Sequence, residues 1–294
     1  VGKTQSTGVE LTINTKNIDS RNFKWSTDFT FTAYKDRWKE RTPDWKPGVY
    51  ERVDDPIRPI YTRLADHILQ IGEQVPDAQP LLRPGELVIK DINGYRRDAN
   101  KQPIVDENGR FVLTGEPDGL IDDADNVLLG SQDPSWLAGI TNTFKYKDFD
   151  LNIQLNGMFG RRMQDPTEMA YGLGGGDLAR YGYNALRKIK DRWTWDNPST
   201  TQPTSFNGWG NNYTSGDWYY QRAWFIRLTN ISFGWTLPKA WIARTKVLSR
   251  VRLSLSANNL FCITPYKGLD PETDYYAASY PNARTYSMGI NVTF

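Results

Sequence analysis

The chain has 294 residues, 38% of them hydrophobic and 13% aromatic, with a mean hydropathy of −0.63. No run of 18 apolar residues occurs; this excludes a transmembrane helix, but not a membrane wall built of strands, whose alternating residues average out. Basic and acidic residues nearly balance, 36 against 34, with no basic block, so nucleic acid is not an expected partner.

Val9, Leu11 and Ile13 alternate with polar residues within about 8–16. A polar connector follows at 17–21, and then Phe23, Trp25, Thr27, Phe29, Phe31 and Ala33 alternate. Two alternating runs and a short connector predict a hairpin. From 35 to about 134 the alternation stops. Ile57, Ile60, Leu64, Ile68 and Leu69 predict a helix over about 56–74. A stretch this long without strand patterning predicts a functional insertion or a small folded unit. A second hairpin is expected over 139–159, turning at Lys147 and Asp148. A second insertion covers 161–222, with a helix expected over 178–193. The run 224–237 changes phase at Asn230, which predicts a bulge, and Pro238 stops it. Val251, Leu253, Leu255 and Ala257 mark the next strand, followed by a loop over 263–284. In the last run Tyr286, Met288, Ile290, Val292 and Phe294 alternate with Thr285, Ser287, Gly289, Asn291 and Thr293.

These are seven expected strands, and their connectors alternate in length. If the last residue lies on the periplasmic side, all three short connectors fall there. The long segments 35–134, 161–222 and 263–284 then all fall outside, as the loops of membrane barrels do. Ten residues at about 3.3 Å each, tilted about 45°, span roughly 23 Å, close to the apolar band of about 25 Å on such barrels. Trp25 and Trp235 near one end and Tyr286 near the other suit interfacial rings. The expected fold is therefore all-β, a transmembrane antiparallel barrel wall in the outer membrane. An open sheet edge cannot sit in lipid, so seven strands imply the C-terminal part of a larger barrel. The alternative is a soluble or cell-surface β-sandwich that binds carbohydrate.

Several runs carry a family resemblance. The run 224–238 reads WFIRLTNISFGWTLP, and 256–261 reads SANNLF. Residues 266–272 read YKGLDPE, 193–198 read WTWDNP, and the chain ends in RTYSMGINVTF. Together they resemble SusC/RagA-type TonB-dependent outer-membrane transporters of Bacteroidota. The resemblance implies a 22-stranded barrel with an N-terminal plug, which is not in this sequence. It also implies a SusD-like surface lipoprotein partner, coupling to the TonB complex through the missing part, and uptake of an oligosaccharide or peptide.

The acidic segment resembles a loop of that family with calcium-type spacing, interrupted here by 95–117. Asp91, Asn93, Asp118, Asp122 and Asp125 are its candidate calcium ligands, alternating carboxylate and amide oxygens. A solvated acidic turn is the other reading. Trp193, Trp195, Trp209, Tyr213 and Trp218 are candidates for stacking on sugar rings or for a partner surface, against a self-packed loop. Tyr286, Met288, Ile290, Val292 and Phe294 are the expected barrel assembly signal. No acid pair, nucleophile elbow or phosphate loop is present, so no enzymatic activity is expected. The single histidine, His67, is expected on a loop or helix, and Cys262 has no cysteine to pair with.

Overall fold

The computed structural model describes residues 2–107, 110–172, 182, 184–204, 216–273 and 279–294. In chain order the strands are β1 (Lys3–Asp19), β2 (Phe23–Glu40), β3 (Pro59–Thr62), β4 (Ala65–Ile68), β5 (Leu87–Ile89), β6 (Val127–Ser131) and β7 (Trp136–Tyr146). They continue with β8 (Phe149–Phe159), β9 (Arg162–Gln164), β10 (Tyr220–Arg222), β11 (Phe225–Thr236), β12 (Arg250–Asn258), β13 (Cys262–Ile263) and β14 (Thr285–Thr293). Seven long strands form one antiparallel sheet in the order β1-β2-β7-β8-β11-β12-β14, with β13 pairing beside β12 on β11. Helices are few and short, and no described helix is long and apolar enough to cross a membrane.

The register aligns one apolar face across the whole sheet. Leu11 pairs with Phe31, Phe31 with Ala138, Phe144 with Leu151, and Leu151 with Phe233. Phe233 then pairs with Leu255, and Leu255 with Met288. Because side chains alternate, these residues all project to one side. No second sheet covers that side among the described residues. Met288 is 76% exposed and Ile290 60% exposed. The sandwich alternative needs those residues packed inside, and they are not.

Aromatic rings mark both ends of this face. At the short-turn end Trp25 stacks on Phe144 with centroids 5.7 Å apart, and Phe149 stacks on Trp235 at 5.8 Å. At the loop end Trp136 stacks on Phe159 at 3.6 Å, and Phe159 neighbours Trp224 at 6.0 Å. Phe149 and Phe159 are ten residues apart on β8, about 33 Å along the strand; a tilt of about 40° leaves roughly 25 Å between the two belts. Four polar side chains interrupt the apolar face and satisfy one another. Asn142 Oδ1 accepts from Thr27 Oγ1 at 2.7 Å and Trp25 Nε1 at 2.9 Å, while Asn17 Nδ2 donates to Thr27 and Thr15 Oγ1 donates to Asn17.

Three register shifts interrupt the long sheet: between Lys3 and Thr4, between Lys16 and Ile18, and between Leu228 and Asn230, where the sequence changes phase. The tight turn between β7 and β8 is made by Lys147, at φ 51°, and Asp148. β1 and β2 run longer than the hydrophobic alternation predicts, because their outer ends pair through polar residues such as Lys3 and Glu40.

The two long insertions fold together at the other end of the sheet. The expected helix over 56–74 is not formed. Residues 59–62 and 65–68 are strands that pair with β6 and β5. Pro59 would break a helix there, and Ile60 and Thr62 bury in strand alternation instead. His67 accordingly lies in β4, not on a helix or loop. Of the expected helix over 178–193, most of the first part lies outside the described residues; Arg187–Asp191 form a 3-10 helix that stops before Trp193. An α-helix at Pro166–Tyr171, capped by Asp165, was not anticipated.

Candidate functional site

The inner face of the wall is polar and carries a cavity of about 570 Å³ beneath the loop end. One cross-strand row of its lining runs from Thr30 through Gly139 and Asn156 to Arg227. The next row, Thr32 to Leu137 to Met158 to Phe225, adds apolar surface. Hydroxyl, amide and charged groups beside apolar patches suit a polar organic ligand.

Arg227 closes one wall of that cavity. It is 5% exposed, and its Nη2 donates to Asp270 Oδ1 at 2.6 Å. Its Nε lies 3.2 Å from Glu272 Oε2. Asp270 also accepts the backbone N–H of Glu272 at 2.9 Å and of Asn282 at 3.0 Å. The run Asp270-Pro271-Glu272 thus locks the loop over 263–284 onto β11. Tyr266 adds a second anchor, buried and donating to Gln164 O at 3.2 Å.

Lower on the same face Arg252 reaches from β12 to Asp150 on β8, crossing the intervening β11 with an Nη2–Oδ2 distance of 2.8 Å. The crossing needs Gly234: a Cβ there would overlap the Arg252 guanidinium.

The insertion 95–117 does not separate the halves of the acidic segment. It folds back as a hairpin arm with bridges Tyr95–Leu113, Arg97–Pro103 and Val105–Phe111, and returns Asp118 beside Asp91. The carboxylates then turn to backbone donors. Asp91 accepts from Gly119 N at 2.7 Å and from Asp118 N at 3.2 Å. Asp125, fully buried, accepts from Ile92 N, Asn93 N and Asp122 N. Asp122 caps Ala124 N, and Asn93 Oδ1 accepts from Gly115 N. Among the described residues no group of three metal-ligating side chains converges.

The aromatic candidates separate sharply. Trp193 is 3% exposed and sits in a core with Ile68, Leu87, Ile89 and Tyr219, drawn from both insertions. Gly85, at φ 92°, leaves the space its indole fills. Its Nε1 donates to Gln70 Oε1 at 3.3 Å. Trp218 packs against the same core. Further links bind the two insertions: Ala65 N donates to Asp217 Oδ1 at 2.8 Å, and Thr204 N to Gly85 O at 2.7 Å. Trp195 alone of the described candidates is exposed, at 68%, on a turn closed between Thr194 and Asn197. Trp209 and Tyr213 lie outside the described residues.

Two polar groupings escaped sequence reasoning. Asp165 and Glu168 are buried, Lys188 contacts Glu168, and burial raises the Asp165 carboxyl while lowering the Lys188 ammonium. His67 sits between Asp66 at 2.9 Å and Glu73 at 2.7 Å. Burial works to lower its pKa, but the two carboxylates outweigh it and hold the imidazole above its ordinary value. The pairing of Asp165 and Glu168 with Lys188 is set by tertiary contact, which no local pattern announces.

A sheet apolar on one side and polar on the other, with aromatic rings at both ends of its apolar face, is built like the wall of a membrane β-barrel. Comparison with known proteins carries this further. No family model matches the chain. TonB-dependent receptor P3 of Formosa agariphila is 28% identical across the whole chain. TonB-dependent receptor SusC of Bacteroides thetaiotaomicron is 25% identical, again across the whole chain. The chain spans 29% and 27% of the lengths of these two relatives. The structure of the RagAB peptide importer in its open-open state superposes on all of the chain, with TM-score 0.70, 20% identity and 29% of that chain covered. The chain matches part of a SusC/RagA-type TonB-dependent transporter. Such relatives are receptors and transporters, not enzymes.

Proposed function

We propose that this chain forms seven neighbouring wall strands, the C-terminal part, of a 22-stranded outer-membrane barrel that imports an oligosaccharide or peptide with TonB coupling. The observation that carries the reading is the apolar face spanning all seven strands between two aromatic belts roughly 25 Å apart. Hydrocarbon belongs on that face, and water with the passing nutrient on the other. Both outer strands, β1 and β14, are paired on one side only in this sheet. Unpaired backbone groups cannot face lipid, so further strands of a longer polypeptide pair with them. Segments 35–134, 161–222 and 263–284 face the extracellular side, where a SusD-like lipoprotein docks as a lid. The relatives named TonB-dependent receptor, and the peptide importer that shares the fold, support this assignment of cargo and partner.

The test is assembly of the full-length polypeptide. It should fractionate with the outer membrane and migrate differently before and after boiling in detergent, with a lipoprotein co-purifying. Changing Phe294 to Asp should abolish assembly. A variant that assembles normally, or a protein that stays monomeric in plain buffer, refutes the reading.

A further inference from the structure

The connector between β11 and β12 is basic, exposed and rigid. It carries Lys239, Arg244 and Lys246, Arg250 opens β12, and no acidic residue lies between 237 and 250. All four cations are exposed, and none makes an ion pair among the described residues. The connector is fixed in place. Ile242 is buried, Thr245 Oγ1 donates to Ile242 O at 2.7 Å, and Leu248 N donates to Thr245 Oγ1 at 3.1 Å.

Two apolar side chains project from this basic piece. Trp241 is 57% exposed and meets Trp235 edge-on at 5.9 Å, so it extends the aromatic belt at the short-turn end. Val247 is 63% exposed. The neighbouring turn adds exposed Lys147 beside Asp148, and Phe149 after it stacks on Trp235. The long segment 41–134, by contrast, holds more acidic than basic residues. The β11–β12 connector thus holds cations with no carboxylate among them, unlike the adjoining turn, which carries Asp148.

Resting on the reading of the sheet as a membrane wall, we infer that this rim docks the headgroups of anionic phospholipids in the adjoining leaflet. Trp241 and Val247 enter the boundary between headgroups and acyl chains. Lys239, Arg244 and Lys246 meet the phosphates. The amphipathic layering selects the occupant: unpaired cations call for anions, and rings and aliphatics at the same level call for a molecule with an attached apolar part. Free phosphate would leave Trp241 and Val247 without a purpose.

The experiment uses the full-length protein in nanodiscs of zwitterionic phospholipid with a minor share of phosphatidylglycerol, followed by native mass spectrometry of retained lipid. The expected result is enrichment of phosphatidylglycerol on the wild type, reduced about tenfold in the triple variant K239Q/R244Q/K246Q. W241A, which keeps the charges, should reduce retention of both lipids and serves as the second variant if the triple variant fails to assemble. A wild type that inserts but shows no enrichment, or a correctly inserted triple variant with wild-type enrichment, overturns the lipid site and leaves the wall reading standing. Release of the bound lipid by inorganic phosphate alone overturns the lipid as occupant. Failure of the wild type to enter the bilayer overturns both.

Discussion

Arg227 in the middle of the wall and Asp270 in the loop above it form a nearly dry ion pair, Nη2 to Oδ1 at 2.6 Å, with side chains 6% and 5% exposed. A buried guanidinium left without its carboxylate is expensive, about 3–5 kcal/mol. Changing Asp270 to Ala should therefore destabilise the folded protein by that order and free the loop over 263–284. Limited proteolysis and the temperature of the boiling-dependent gel shift read both effects. Glu272→Gln, at the exposed edge of the pair, should cost far less.

Gly234 lets Arg252 reach Asp150 across a strand. An alanine there should displace the guanidinium and cost about 1–3 kcal/mol. In an R252A background the same Gly234→Ala change should cost less, because nothing remains to be displaced. A double-mutant cycle on thermal stability gives the coupling; strict additivity would contradict the crossing.

Trp193 and Trp195 should behave oppositely. Trp193→Ala removes a buried indole and should cost about 3–5 kcal/mol in the loop unit. Trp195→Ala should leave stability within about 0.5 kcal/mol. On the proposed function, it should instead weaken retention of a lipoprotein lid, measured by co-purification.

His67 provides a pH test. Its folded pKa lies above the ordinary 6.5, so the stability it adds is fully present below that value. It is lost as pH rises through the folded pKa. In histidine-selective NMR, the resonance identified as His67 by its loss in His67→Gln should titrate above 6.5. Glu73→Gln, removing one of the two carboxylates, should bring the titration down.

Calcium gives a negative prediction. With Asp91, Asp118, Asp122 and Asp125 committed to backbone N–H groups, millimolar calcium should leave the melting of the loop unit unchanged. A calcium-dependent rise in midpoint would instead support the cation reading of the acidic segment.

The wall was readable because side chains with water on one side and apolar surroundings on the other must alternate. Seven strands, the turn at Lys147 and Asp148, and the phase change near Asn230 all follow from period two. The insertions were opaque for the same reason. Their strands are three to five residues long, too short to show a period, and Ile57, Ile60 and Leu64 imitated a helical stripe by chance. Whether Trp193 was a surface ring or a packed one stayed open in the sequence, because the glycine notch at Gly85 that receives it lies far away along the chain. The motif Asp270-Pro271-Glu272 was recognisable as a family trait, yet its partner Arg227 appears only when the loop folds down on the strand.

Because one tryptophan from the second insertion fills a notch in the first, neither can swing alone. Whatever tugs at residues 193–204 also pulls on 65–89, so the two insertions answer a load as one body.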